Sequence, residues 1–172
     1  FNINGTPLTA PFKMSSLFTA LGASNICATD DDGDPIVLYD HLADRWMISQ
    51  FALTAPFHQC IAVSQTGDPT GAYFVYDFVM PNNYANDYPH FGVWPDAYYM
   101  TDNQFNASLT AFTGAGVFAY DRSKMLVGDP TATYIYFDQP AALGIGGQLP
   151  SDLDGPPPPA GAGNVIAMFT AN

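Results

Sequence analysis

One pattern of strand, tight turn and strand is written twice between Asp34 and Gln104, and it restricts the chain to folds built from short antiparallel strands. In the first copy, apolar and aromatic residues alternate with small or polar ones. The runs are Ile36-Val37-Leu38-Tyr39, Trp46-Met47-Ile48-Ser49-Gln50-Phe51, Cys60-Ile61-Ala62-Val63-Ser64 and Ala72-Tyr73-Phe74-Val75-Tyr76. Each is closed by Asp, Gly or Pro, the residues that turn a chain. Four such strands with tight connections form an antiparallel meander, which cannot bury both its faces alone. A second sheet opening with Phe91-Gly92-Val93-Trp94 and Ala97-Tyr98-Tyr99 therefore predicts stacked, propeller-like repetition. The expected class is all-β: four-stranded antiparallel meanders, about two blades plus the start of a third, in a partial propeller.

Composition agrees with this class. The 172 residues include 15 Gly and 15 Pro, with 15% aromatic residues, a profile of many strands and turns rather than helices. All 16 acidic residues are Asp, which removes a strong helix former and supplies a turn and cation-ligand residue instead. The formal charge of −12, with Lys13, Arg45, Arg122 and Lys124 forming no run, argues against nucleic acid as a partner. No apolar run is long enough to span a membrane, and a chain beginning at Phe1 reads as processed or partial. The pattern divides into an N-terminal segment (1–26), a first sheet (27–78), a second sheet with its connecting loop (79–138), a Pro/Gly-rich connector (139–163) and the start of a further strand (164–172).

Two features point to export. Cys27 and Cys60 lie in strand-like settings that a fold can bring together, predicting a disulfide rather than two buried thiols. Asn4-Gly5-Thr6 and Asn106-Ala107-Ser108 are formal glycosylation sequons. An extracellular, periplasmic or cell-surface location is the expectation.

The most distinctive charged cluster is Asp30-Asp31-Asp32-Gly33-Asp34. Two readings stand. In one, Asp32 and Asp34, flanking a flexible Gly33, join Asp30 and the later Asp96 in holding Ca²⁺. In the other, the cluster is a solvated acidic turn. An EF-hand is excluded, because counting from Asp30 places Pro35 where that loop needs Gly and His41 where it needs Glu. Arg45 is expected to pair with Asp44 or Asp40 and to stack on Trp46. The turn Gly67-Asp68-Pro69-Thr70-Gly71, with Ser64 and Tyr73, resembles the Asp-box hairpin of sialidase-type propellers at a stretched spacing. That box is a fold element lying away from the chemistry.

Further pieces carry a second resemblance. Asp32-Gly33-Asp34-Pro35-Ile36-Val37-Leu38-Tyr39-Asp40, Ala43-Asp44-Arg45-Trp46, Ser49-Gln50-Phe51-Ala52, Gln59-Cys60-Ile61-Ala62-Val63-Ser64, Asp68-Pro69-Thr70-Gly71 and Gly92-Val93-Trp94-Pro95-Asp96-Ala97-Tyr98-Tyr99 resemble a family of uncharacterised exported bacterial proteins with repeated β-sheet blades. The resemblance implies fold and export and supplies no catalytic set.

Direct search for chemistry returns mostly absences. The sequence has no Gly-x-Ser-x-Gly elbow, phosphate loop or His-Glu-x-x-His helix, and His41, His58 and His90 fall in different places. The leading expectation is a non-catalytic structural or binding module, an accessory subunit whose partners are other proteins of an assembly or glycans. The alternative is a glycoside hydrolase or sialidase-like enzyme using paired carboxylates drawn from Asp34, Asp96 and Asp102.

Overall fold

The computed structural model describes residues 1–169 and contains two four-stranded antiparallel sheets, each a meander in chain order. The first comprises β1 (Gly33–Asp40), β2 (Arg45–Ala52), β3 (His58–Ser64) and β4 (Tyr73–Val79). The second comprises β5 (Ala85–Val93), β6 (Tyr98–Phe105), β7 (Phe112–Tyr120) and β8 (Tyr134–Pro140). A two-residue ladder pairs β9 (Leu149–Pro150) with β10 (Ile166–Ala167). The last three residues of the further strand expected over 164–172 lie outside the described residues. Among the described residues the sheets close into neither a barrel nor a ring.

The period-2 pattern decides which side chains meet. Ladder rows such as Leu38–Met47–Val63–Phe74 and Ile36–Ser49–Ile61–Tyr76 define one face of the first sheet. That face packs on the rows Phe91–Met100–Phe118–Tyr136 and Val93–Tyr98–Tyr120–Tyr134 of the second. Aromatic rings interlock within this core, with Phe78 and Tyr120 centred 4.8 Å apart and Phe118 and Tyr136 4.9 Å apart. Tyrosine hydroxyls find backbone acceptors across the seam: half-buried Tyr134 donates to Val79 O at 2.7 Å and buried Tyr76 to Met125 O at 3.1 Å.

The other face of the first sheet is covered by the N-terminal segment. A 3₁₀ stretch (Met14–Leu21) and the one-turn helix α1 (Ile26–Thr29) lay Phe18, Leu17, Leu21 and Ile26 over Ala52, Ala62 and Val75. The expected disulfide is present and joins Cys27 of α1 to Cys60 of β3. A second one-turn helix, α2 (Arg122–Met125), is capped by the Asp121 carboxylate accepting from the Lys124 amide, as its sequence predicts.

Two stretches depart from expectation. Met80–His90, whose polar and aromatic composition reads as a loop, contains the first half of β5. The strand accommodates Pro89 by a bulge between Asp87 and His90, where Pro forfeits no ladder hydrogen bond. The Pro/Gly-rich connector docks although it has few large apolar groups. It is held by polar contacts to its backbone: Thr101 Oγ1 donates to Gln148 O at 2.6 Å and Trp94 Nε1 to Ala162 O at 2.8 Å. His41 Nε2 lies 2.9 Å from Gly155 O, and Asp152 accepts from Val93 N at 2.8 Å. Gly92 permits the approach, since a Cβ there would meet Ser151 O at 2.3 Å.

Candidate functional site

The acidic turn does not converge. Asp31 accepts from Ser15 N and Oγ at 2.8 and 3.0 Å and is reached by Lys13 Nζ at 3.6 Å. Hydrogen bonds from Ser15 hold its carboxyl below the ordinary range, against the opposing effect of its desolvation. Asp32 accepts from Leu53 N at 2.6 Å, and Asp30 from Thr29 and Thr54 hydroxyls at 2.9 and 3.1 Å. These carboxylates therefore tie the N-terminal segment and the end of β2 to the turn. Among the described residues no group of three His, Cys, Asp or Glu side chains is placed to hold a metal ion, so the calcium expected here finds no such ligand set. Asp96 lies in the β5–β6 turn, where Tyr99 OH donates to it at 3.1 Å. It stands by the end of β1 that carries Asp40, roughly 20 Å along that strand from Asp34.

The three aspartates offered as a glycosidase pair are likewise dispersed. Asp34 sits at the start of β1, Asp96 in a turn at the other end, and Asp102 inside the second sheet at 3% exposure. Asp102 Oδ1 accepts from Gly116 N at 2.9 Å, while Oδ2 is buried without a partner. Burial pushes this carboxyl up to about 7, opposed by the Gly116 and Gln104 hydrogen bonds.

A polar cluster not singled out from sequence joins the sheets at the far end. Asp40, fully buried at the end of β1, accepts from Arg122 Nε and Nη2 at 2.7 and 3.0 Å and from Tyr98 OH at 2.8 Å. Arg122 also donates to Pro95 O at 3.1 Å, and its guanidinium lies 5.8 Å from the Tyr98 ring centroid. Arg45, expected to take Asp40 or Asp44, instead donates from Nη1 to the carbonyls of Ala43 and Asp44 at 3.0 and 2.8 Å. The bidentate fork from α2 occupies both Asp40 oxygens and the Asp44 carboxylate accepts from Tyr39 OH at 2.7 Å, while Arg45 takes backbone acceptors. Asp121-Arg122 preceding a one-turn helix was the available signal, but nothing in the sequence connects it with Asp40.

His58 pairs through Nδ1 with Asp77, whose second oxygen accepts from Asn25 Nδ2 at 2.8 Å. This array pins the N-terminal segment to β3 and β4. The Asp-box-like turn is also locked internally. Ser64 Oγ donates to Thr66 O at 2.6 Å and accepts from Trp46 N at 2.8 Å, while Asp68 accepts from Thr70 N and Oγ1 at 2.9 and 2.7 Å. Tyr73 OH donates to Pro69 O at 2.8 Å.

What remains as a candidate site is the cleft between β1 and β5, the first strands of the two sheets. Its volume is about 320 Å³, and Asp34, Ile36, Leu38, Tyr88, His90 and Phe91 line it together with Pro35 and Pro89. Both strands are bulged there, between Gly33 and Ile36 and between Asp87 and His90. Asp34 and Tyr88 occupy equivalent places, each preceding a proline and each at positive φ, 44° and 54°. Such backbone is costly for a bulky residue such as Tyr and concentrates at functional positions. The Tyr88 ring stands edge-on to His90 with centroids 4.3 Å apart. His90 Nε2 is buried without a hydrogen bond, and burial holds the imidazole below its ordinary range, with the Asp34 carboxylate opposing. Comparison with protein-family models, curated proteins and solved structures returned no match.

Proposed function

We propose that the chain is a non-catalytic, exported sheet-repeat module of propeller type that works by docking, as an accessory part of a larger surface assembly. The observation that carries this reading is the outward face of the second sheet. Its rows Tyr99–Ala119–Ile135 and Thr101–Val117–Phe137 are equivalent to the face by which the first sheet packs on the second. Ile135 and Phe137 are exposed by 63% and 56%. Residues 148–152 and β9 lie over β5 and β6 on this face, much as β5 lies over the first sheet. This supports a third blade position that begins with β9. The disulfide agrees with an oxidising compartment.

The dispersal of Asp34, Asp96 and Asp102 weighs against the glycosidase alternative, which needs two facing carboxyls about 5–10 Å apart. A panel of fluorogenic glycosides and sialosides tests the reading. No turnover above a heat-denatured control is expected. Saturable hydrolysis abolished by Asp34→Asn, Asp96→Asn or Asp102→Asn would overturn it.

A further inference from the structure

The β1–β5 cleft has a chemistry that the docking role does not use, and it stands whatever covers the second sheet. Asp34 is exposed, and its side chain has no hydrogen bond or ion pair among the described residues, whereas Asp30, Asp31 and Asp32 all do. Among the described residues none of the Lys and Arg side chains pairs with it. Lys13 is with Asp31, Arg122 with Asp40 and Lys124 with Asp121, while Arg45 donates to carbonyls. The neighbouring imidazole, its charged form disfavoured by burial, does not supply the missing positive charge near neutral pH. Below this carboxylate the walls are apolar, formed by Ile36, Leu38 and Phe91, and the Tyr88 ring stands at the mouth, 51% exposed.

We propose that this cleft binds an ammonium group carried on a short apolar stem, with Asp34 as counter-ion, the Tyr88 ring as cation–π partner and Ile36, Leu38 and Phe91 seating the stem. The alternatives fit less well. A hard metal ion needs several oxygen ligands, and the cleft offers one carboxylate. An anion meets both Asp34 and a chain of net charge −12. A sugar presents many hydroxyls to walls with few hydrogen-bonding groups. An ammonium gains from the carboxylate, from the ring face and from the field of the whole molecule, while its stem leaves water.

The test is titration of the intact chain with n-butylammonium chloride at fixed ionic strength, followed by amide NMR, with 1-butanol and butyrate as matched controls. Saturable shifts confined to Leu38, Tyr88, His90 and their neighbours are expected, with 1-butanol weaker by about tenfold or more. Asp34→Asn should weaken butylammonium by a similar factor with an unchanged melting temperature, because Asn also tolerates positive φ. Tyr88→Leu should weaken it severalfold while leaving 1-butanol unaffected. Equal affinity for 1-butanol, undiminished binding in Asp34→Asn, or shifts only around Asp30–Asp32 would overturn the proposal. Hydrolysis of glycosides would leave it standing, and absence of amine binding would leave the docking role standing.

Discussion

Two buried carboxyls, Asp40 and Asp102, have opposite surroundings and should respond oppositely to substitution. Asp40 is held between a guanidinium fork and a tyrosine hydroxyl. Removing one partner of a buried pair leaves the other charge without compensation, a loss of ~3–5 kcal/mol. Asp40→Ala is therefore expected to shift the urea midpoint sharply downward, and pairing it with Arg122→Met should recover much of the loss. Asp102 has no cation, and desolvation raises its carboxyl to about 7 in the fold, against an ordinary value of 3.8. A raised acid binds more protons folded than unfolded, so its contribution to stability is full below about pH 4 and is lost as pH rises through about 7. Asp102→Asn, which keeps the shape and has no charge to lose, should flatten this fall. Thermal unfolding at pH 5 and pH 8 measures it, and an equal pH 5 to pH 8 difference in both proteins would contradict the assignment. Neither environment is legible in the sequence. Asp40 closes an obvious strand and Asp102 sits in another, but the partner that separates their chemistry, Arg122, lies 82 residues from the first.

At the scale of elements, the N-terminal segment depends on one covalent tie and a set of carboxylate contacts. The bridge spans a sequence separation of 33, for which the chain-entropy estimate is ~3–4 kcal/mol. Cys27→Ser with Cys60→Ser is expected to lower the melting temperature markedly, and the untreated protein, unfolded without reductant, should show no labelled thiol. Because α1 and the 3₁₀ stretch pack mainly through Phe18 and a few aliphatic residues, amide exchange in residues 14–29 should rise more in that variant than exchange in β6 or β7. Strands with clean alternation, such as Arg45–Ala52 and His58–Ser64, were readable to within a residue or two. β5 was not, because Tyr88-Pro89 breaks the alternation and the bulge that absorbs it is a tertiary device. The start of β7 was also missed, because Gly114 reads as part of a turn and puts the beginning of the strand at Gly116. In the fold they make room for neighbours: a Cβ would come within 2.2 Å of Gln139 O at Gly114 and 2.5 Å of Asp102 Oδ1 at Gly116. Of the candidate cleft, only Asp34 was singled out. Its pairing with Tyr88 and His90 follows from the stacking of two first strands, which no local pattern reports.

For the molecule as a whole, the exposed Ile135 and Phe137 place apolar area on the outer face of the second sheet, suited to cohesion. Sedimentation velocity at increasing concentration should show association of the native chain, reduced by Ile135→Ser with Phe137→Ser at unchanged melting temperature. Concentration-independent sedimentation of the native chain would show that this face does not act alone. Two four-stranded antiparallel sheets were foreseeable from the twice-written pattern, whereas the difference between their two outer sides was not. The first sheet's outer side is already roofed by residues that precede it in the chain and is fastened there by Cys27–Cys60. Among the described residues the second sheet's outer side carries β9 and the connector. The two outer sides thus differ in cover, as the capped and uncapped ends of a repeat array do. On the docking role proposed above, a further layer is expected to settle beyond the second sheet, because the opposite side is roofed and covalently fastened.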